Sequence, residues 1–196
     1  MTFSIVAVNP ETKTLGVAVA SGSIAVGSRV PWVKEGIGAI ATQAYTNTMY
    51  GSKGLKLLEK GYTPSDTLNK LLNLDPAREN RQVAMIDIKN RKAVFTGKMC
   101  PDWKGQVIGK DYIIIGNLIV GEVVLKAVER AFNKSPGPLP LRLLNALVEG
   151  EREGGDRRGN RSAAIIVKGG YNLNIRVDNA RNPAQKLYSI YELKYF

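Results

Sequence analysis

Residues 2 to 8 alternate in the manner of a β-strand, with Phe3, Ile5 and Ala7 on one side and Ser4, Val6 and Val8 on the other. NPETKT is turn chemistry and LGVAVA returns the chain, which predicts a hairpin. Small residues then lead to GIGAIATQA, whose nearly unbroken apolar character predicts a strand buried on both faces. The stretch TPSDTLNKLLNLDP carries its own start and stop. Thr63 is the N-cap and Pro64 the first helical residue, Asp66 sits near the positive end of the dipole, and Asp75-Pro76 ends the run; Leu68, Leu71 and Leu72 share one face. A shorter helix, from Thr48 to Lys60 and closed by Gly61, precedes it. QVAMIDIKNRKAVFTG reads as a second hairpin around Lys89-Asn90, and YIIIGNLIV as a buried strand after a loop holding Cys100 and Trp103.

The second half repeats the plan. Val124, Ala127, Val128, Ala131 and Phe132 recur at helical spacing, and a further helix spans residues 139 to 149 after the PGPLP break. The Gly-rich GGDRRGNR leads into SAAIIVK, Gly169-Gly170 turns the chain, LNIRV alternates back, and Asn182-Pro183 opens a last helix with Leu187, Ile190 and Tyr191. Blocks of hairpins and helix pairs, rather than alternating βαβ units, predict an α+β protein of antiparallel sheets covered by helices. No internal linker or repeat divides the 196 residues, so one domain over 1–196 is expected.

Composition narrows the chemistry. No apolar run approaches the roughly 20 residues of a membrane span, which leads to the expectation of a cytoplasmic protein with no membrane partner. Cys100 is alone and histidine is absent, so there is no metal-ligand spacing, and no metal or cofactor is expected. Without imidazole the Ser-His-Asp and Cys-His mechanisms are excluded; a hydroxyl nucleophile must find a lysine or an α-amine as its base. The net charge of +11 would suit a polyanion. The basic residues are scattered, however, and the Arg-rich EREGGDRRGNR carries three acids of its own, which argues against nucleic acid as a partner.

One residue can supply both nucleophile and base. A threonine exposed as the first residue offers a hydroxyl and an α-amine whose reference pKa is about 7.7 to 8.0. Methionine aminopeptidases generally accept a small second residue, so removal of Met1 would place Thr2 in that position.

The stretches TFSIVA, LGVAVAS, AVGSRVPWVKEGIGAIATQAYTN, YGSKGLKLLEKG, RQVAMID, FTGKMC, GNLI and GGDRRGNRSAA resemble, in that order, the landmarks of the family filed as domain of unknown function 1028. That family is placed in the N-terminal nucleophile (Ntn) hydrolase superfamily. The resemblance implies a proteasome-subunit-like, four-layer α-β-β-α sandwich, hydrolysis of a small amide or peptide by the N-terminal residue, and a homo-oligomeric assembly. It further implies Thr2 as nucleophile and base, Thr42-Gln43-Ala44 as the strand end presenting backbone N–H groups to an oxyanion, and Asp156 and Ser162 as groups holding the amine. Asn117 would be a polar contact of the pocket and Ser21 stands at the end of the second strand.

Each of these residues also has a plainer reading. Asp156 beside Arg157 and Arg158 reads as a surface ion pair, Gln43 and Asn117 as groups satisfying nearby backbone, Ser21 as a turn residue, and Cys100 as a small buried hydrophobe. The sequence also departs from relatives. Ser21 stands where proteasome subunits keep an aspartate, their pKa-lowering lysine has no sure match, with Arg29 and Lys34 the nearest cations, and Arg161 replaces the family's usual glutamine. A catalytically silent scaffold of the same fold is therefore the second reading, and a basic nucleic-acid binder the third.

Overall fold

The computed structural model describes residues 2–195. One antiparallel sheet contains β1 (Thr2–Asn9), β2 (Thr14–Ser21), β7 (Lys104–Ile108), β8 (Tyr112–Asn117), β9 (Ser162–Lys168) and β10 (Asn172–Val177), in the order β10-β9-β2-β1-β8-β7. The other contains β3 (Pro31–Lys34), β4 (Gly38–Ala44), β5 (Arg81–Asp87) and β6 (Lys92–Thr96) in sequence order. Helices α1 (Met49–Glu59) and α2 (Pro64–Asn73) lie between β4 and β5, α3 (Glu122–Lys134) and α4 (Leu139–Arg152) between β8 and β9, and α5 (Pro183–Tyr195) closes the chain.

Strand alternation divides the apolar residues into three layers. Phe3, Ile5 and Ala7 of β1 meet Val128, Leu143, Leu147 and Leu187 of α3, α4 and α5. Val6 and Val8, from the opposite face of the same strand, meet Ala39, Ala41, Ala84 and Ile86 of the four-stranded sheet. Ile40, Val83 and Met85 then pack on Tyr50, Leu55, Leu68 and Leu71 of α1 and α2. The sidedness read from the first eight residues therefore holds. Helix α4 rests directly on the start of β1, because a Cβ added to Gly150 would lie 2.6 Å from Phe3 Cε2.

Local signals account for most of the elements. The Thr63 hydroxyl accepts from the Asp66 N–H at 3.1 Å, the cap expected from TPSD. Two strands carry no such signal. The short β3 and the half-exposed edge strand β7 exist by pairing with β4 and β8. The strand expected over YIIIGNLIV ends at Asn117, because Leu118 turns left-handed at φ 50° and its N–H goes to the Pro101 carbonyl. Helix α4 runs to Arg152, beyond residue 149.

Asp75 does more than stop α2. Its carboxylate is 4% exposed and accepts from Arg81 Nε at 2.9 Å, the Tyr50 hydroxyl at 3.0 Å and the Ala77 N–H at 3.0 Å. Arg81 Nη1 also donates to the Tyr45 carbonyl at 2.6 Å, so one ion pair joins the start of β5 to the chain leaving β4. The Arg81 guanidinium, outweighing burial, holds Asp75 at about 2. The stabilisation is therefore full above the ordinary carboxylate range and is lost as pH falls through about 2. Asp75→Asn is expected to cost about 3 kcal/mol at pH 7 by leaving Arg81 unpaired. Urea unfolding at pH 7 and pH 2 should show that deficit shrinking in acid; a pH-independent deficit would count against the ion pair.

Candidate functional site

The N-terminal strand lies in the middle of its sheet, and the pairing register lines up one row of polar residues across five strands. Lys104 faces Asn117, Asn117 faces Thr2, Thr2 faces Ser21, and Ser21 faces Ser162. Paired residues share a face, and here it is the face toward the other sheet, where Val6, Val19, Ile115 and Ala164 also point. The apolar inter-sheet layer thus gives way to hydroxyls and amides at the end of the sheet where β1 begins.

Thr2 Oγ1 lies 3.1 Å from Ser21 Oγ, and Ser21 Oγ also accepts from the Ser23 N–H at 3.1 Å. Ser162 stands one strand further out. Its hydroxyl donates to the Ser23 carbonyl at 2.6 Å and accepts from the Val26 N–H at 3.1 Å, so it fixes the loop after β2 and has Ser21 between it and Thr2.

Asp156 closes the end of the strand. Its carboxylate accepts from the Gly22 N–H at 2.7 Å, and its backbone forms an isolated bridge with Ile119. Gly22 follows β2 and Ile119 follows β8, the two neighbours of β1, so Asp156 spans the gap just beyond Thr2. Burial alone would raise its pKa. The Arg158 guanidinium, 2.9 Å away, and the N–H groups of Arg158 and Gly22 outweigh that and hold it below the usual carboxylate range. The pair is not a surface ion pair in the ordinary sense, because the Asp156 side chain is 0% exposed while Arg158 is 43% exposed.

A second group of residues reaches across from the four-stranded sheet. Gln43 Nε2 donates to the Thr2 carbonyl at 3.1 Å and to Gln82 Oε1 at 2.8 Å, while Gln43 Oε1 accepts from Ser4 Oγ at 2.6 Å. Asn117 Nδ2 donates to the same Gln82 oxygen at 2.9 Å. Gln82 Nε2 lies 3.0 Å from the Gly105 carbonyl, the Gly116 carbonyl and Thr96 Oγ1. All three amides are fully buried. Gln82 and Ser4 were not singled out from the sequence. The signal was available for Gln82, whose strand places it on the same face as Ala84 and Ile86.

The remaining expected residues lie around this group. Thr42 points to the helix side, its hydroxyl donating to the Asn47 carbonyl at 3.2 Å and its N–H to the Val30 carbonyl at 3.1 Å. Ala44 ends β4 with φ 68°, where the backbone turns out of the strand. Lys34 pairs with Glu59, and Arg29 donates to the Ile24 carbonyl. Lys104 shares the row with Thr2 but is two strands away, with its ammonium on the Lys98 and Cys100 carbonyls. Among the described residues, the cation that reaches Asp156 is Arg158. Arg161 meets Asn179 Oδ1 at 3.2 Å. Cys100 is buried with its thiol on the Arg81 carbonyl, and burial pushes its pKa up, against a role as nucleophile.

Open surface clefts lie at the far end of the strands. One of about 370 Å³ is bordered by Asn9, Pro10, Asn90 and Lys110, and one of about 560 Å³ by Lys13, Glu35, Lys89 and Gly170. Both are formed by hairpin turns and carry none of the residues described above, whereas Thr2 itself is 5% exposed. Among the described residues no group of three or more His, Cys, Asp or Glu could hold a metal ion, and no helix is long and apolar enough to cross a membrane. The removal of Met1 concerns a residue outside those described.

The fold and this row of residues define an α+β protein with two antiparallel sheets and a buried polar end. The chain belongs to the family of unknown function DUF1028, whose profile matches residues 2–187. It is similar to the crystal structure of a Silicibacter pomeroyi protein of the same family, with 34% identity and a TM-score of 0.92 over 100% of this chain and 89% of that one. No curated protein matches it.

Gly22 tests how tightly Asp156 is held. An added Cβ would stand 2.7 Å from Asp156 Cγ and 2.8 Å from the Gly159 carbonyl. Gly22→Ala is expected to destabilise the fold by about 1–3 kcal/mol. Gly121→Ala, with nothing within 4 Å of its added Cβ, serves as the control. Equal thermal unfolding of the two variants would mean that Asp156 is free to move aside.

Proposed function

We propose that this protein is an Ntn-type amidohydrolase in which Thr2, once Met1 is removed, attacks a small amide or peptide. The reading is supported by the order of the apolar layers, in which helices cover the outer face of each sheet, an arrangement compatible with the four-layer α-β-β-α sandwich implied by the resemblance to that superfamily. The observation that carries the proposal is the buried carboxylate of Asp156, set between the chain segments that follow β2 and β8. A free amine on Thr2 would emerge into that gap.

The strand register supports this placement. The Val8 N–H donates to the Asp111 carbonyl at 3.0 Å, which marks the bonded positions between β1 and β8. Counting in twos, Thr2 is a bonded position opposite Asn117, so its nitrogen faces β8 and its hydroxyl stands on the inter-sheet face. In the proposed reaction the amine takes the Oγ proton, directly or through water, as Oγ bonds to the substrate carbonyl carbon. Ser21 Oγ holds the hydroxyl, and a backbone N–H at the end of β4, at Ala44, receives the developing oxyanion. Collapse of the adduct breaks the C–N bond, the amine returns its proton to the leaving nitrogen, and water then releases the acyl group. The reading also carries a homo-oligomeric, cytoplasmic protein with no nucleic-acid partner.

The 5% exposure of Thr2 favours a second reading, a silent scaffold of the same fold. Intact mass of the protein from its native source separates the two, because a retained methionine ties the base into a peptide bond. For the enzyme, hydrolysis of a panel of short peptide amides is expected to rise with pH as the amine deprotonates, and the Asp156 carboxylate beside it shifts that rise upward from the ordinary range of an α-amine. Thr2→Ala should lower it at least about a thousandfold. Hydrolysis that survives the substitution would transfer the chemistry to another residue.

A further inference from the structure

The buried amides between the sheets have only one consistent set of hydrogen-bond directions. The carbonyls of Gly105 and Gly116 can only accept, so the Gln82 atom facing them must be Nε2. Its Oε1 therefore faces Gln43 and Asn117, and each of those must present an N–H to it. Gln43 Nε2 is required a second time by the Thr2 carbonyl, another pure acceptor, which leaves Gln43 Oε1 to take the Ser4 hydroxyl. Two backbone carbonyls thus decide the orientation of three amides.

The consequence falls on Asn117. With Nδ2 committed to Gln82, its Oδ1 is an acceptor by necessity; it is fully buried and has no hydrogen-bond partner. An orphaned buried acceptor is costly, because its lost hydration is not replaced. This one sits in the residue paired with Thr2, on the inter-sheet face that carries the Thr2 hydroxyl, and Ser21 occupies the other flank of that hydroxyl. Bonded pairs have Cα atoms about 5.5 Å apart. That separation suits a substrate whose carbonyl carbon meets Thr2 Oγ1 while a nitrogen two bonds away donates to Asn117.

Building on the proposed role of Thr2, we propose that Asn117 Oδ1 reads the N–H beside the scissile carbonyl, so that the site takes N-acyl amino acid amides and peptides. An acyl group lacking that N–H leaves the acceptor unpaired and is rejected, the discrimination that a site built around a buried polar group achieves. The chain segments at this end carry exposed Ile24, Tyr45, Met99 and Val120, which suits an apolar side chain on the acyl residue.

A boronic acid tests this without knowledge of the substrate. In the N-acetyl boronic acid analogue of leucine, boron stands in for the scissile carbon; the Thr2 hydroxyl adds to it, an O–B bond forms, and the proton passes to the Thr2 amine. The protein is prepared with Thr2 verified by mass as its first residue, and affinity is compared by calorimetry with that of the N-methyl analogue. The N–H form should bind about 10- to 100-fold more tightly. In Asn117→Ser, too short to present the acceptor, and in Asn117→Leu, that ratio should collapse while both compounds still bind. Equal binding of the two compounds to the unaltered protein, or a ratio that survives in Asn117→Ser, would overturn the role of Asn117 and leave Thr2 intact. Binding of neither compound would overturn the Thr2 nucleophile and this proposal together.

Discussion

At the end of the sheets where β1 begins, the constraint that organises everything else is the cost of burying amides without partners. The sheets meet through close-packed valine, isoleucine and alanine until the last row, where Gln43, Gln82 and Asn117 replace them. Apart from the Asn117 oxygen, these amide groups find partners inside the protein by reaching from one sheet to the other and to the backbone of β1, β7 and β8. The two sheets are therefore locked in register as well as packed, and Thr2 is held through its carbonyl as well as its strand pairing.

The second anchor is electrostatic. Asp156 is buried and ionised because Arg158 and two backbone N–H groups stabilise its charge. Asp75, between α2 and β5, is stabilised in the same way through Arg81 and Tyr50. Asp75 joins its loop to the start of β5, and Asp156 joins its loop to the chain leaving β2. These two arginines therefore serve buried acids, and each pair is neutral, so neither contributes to the net charge of +11.

Much of the architecture was legible because it is local. The first hairpin, the capped α2, and the hairpins around Lys89-Asn90 and Gly169-Gly170 carry alternation, caps and turn residues within short windows. The edge strand β7 and the four-residue β3 were missed because nothing in KGQVI or PWVK demands a strand; their partners do. The candidate site divides in the same way. Thr2, Ser21 and Ser162 do stand in one row, but the order within that row puts Ser21, rather than Ser162, against the threonine.

By itself the sequence settled what is chemically available: no histidine, one cysteine, a threonine at the head of a strand, and the ordered landmarks of DUF1028. It also determined which faces of the strands are apolar, since side chains alternate with a period of two wherever the strands pair. Tertiary structure alone decided which polar residues meet. Thr2 and Asn117 are separated by more than half the chain and become neighbours only when β1 inserts between β2 and β8. Gln82 became part of the site because the two sheets close on each other, and a hydrogen bond, unlike an apolar face, depends on a partner whose identity no local pattern records.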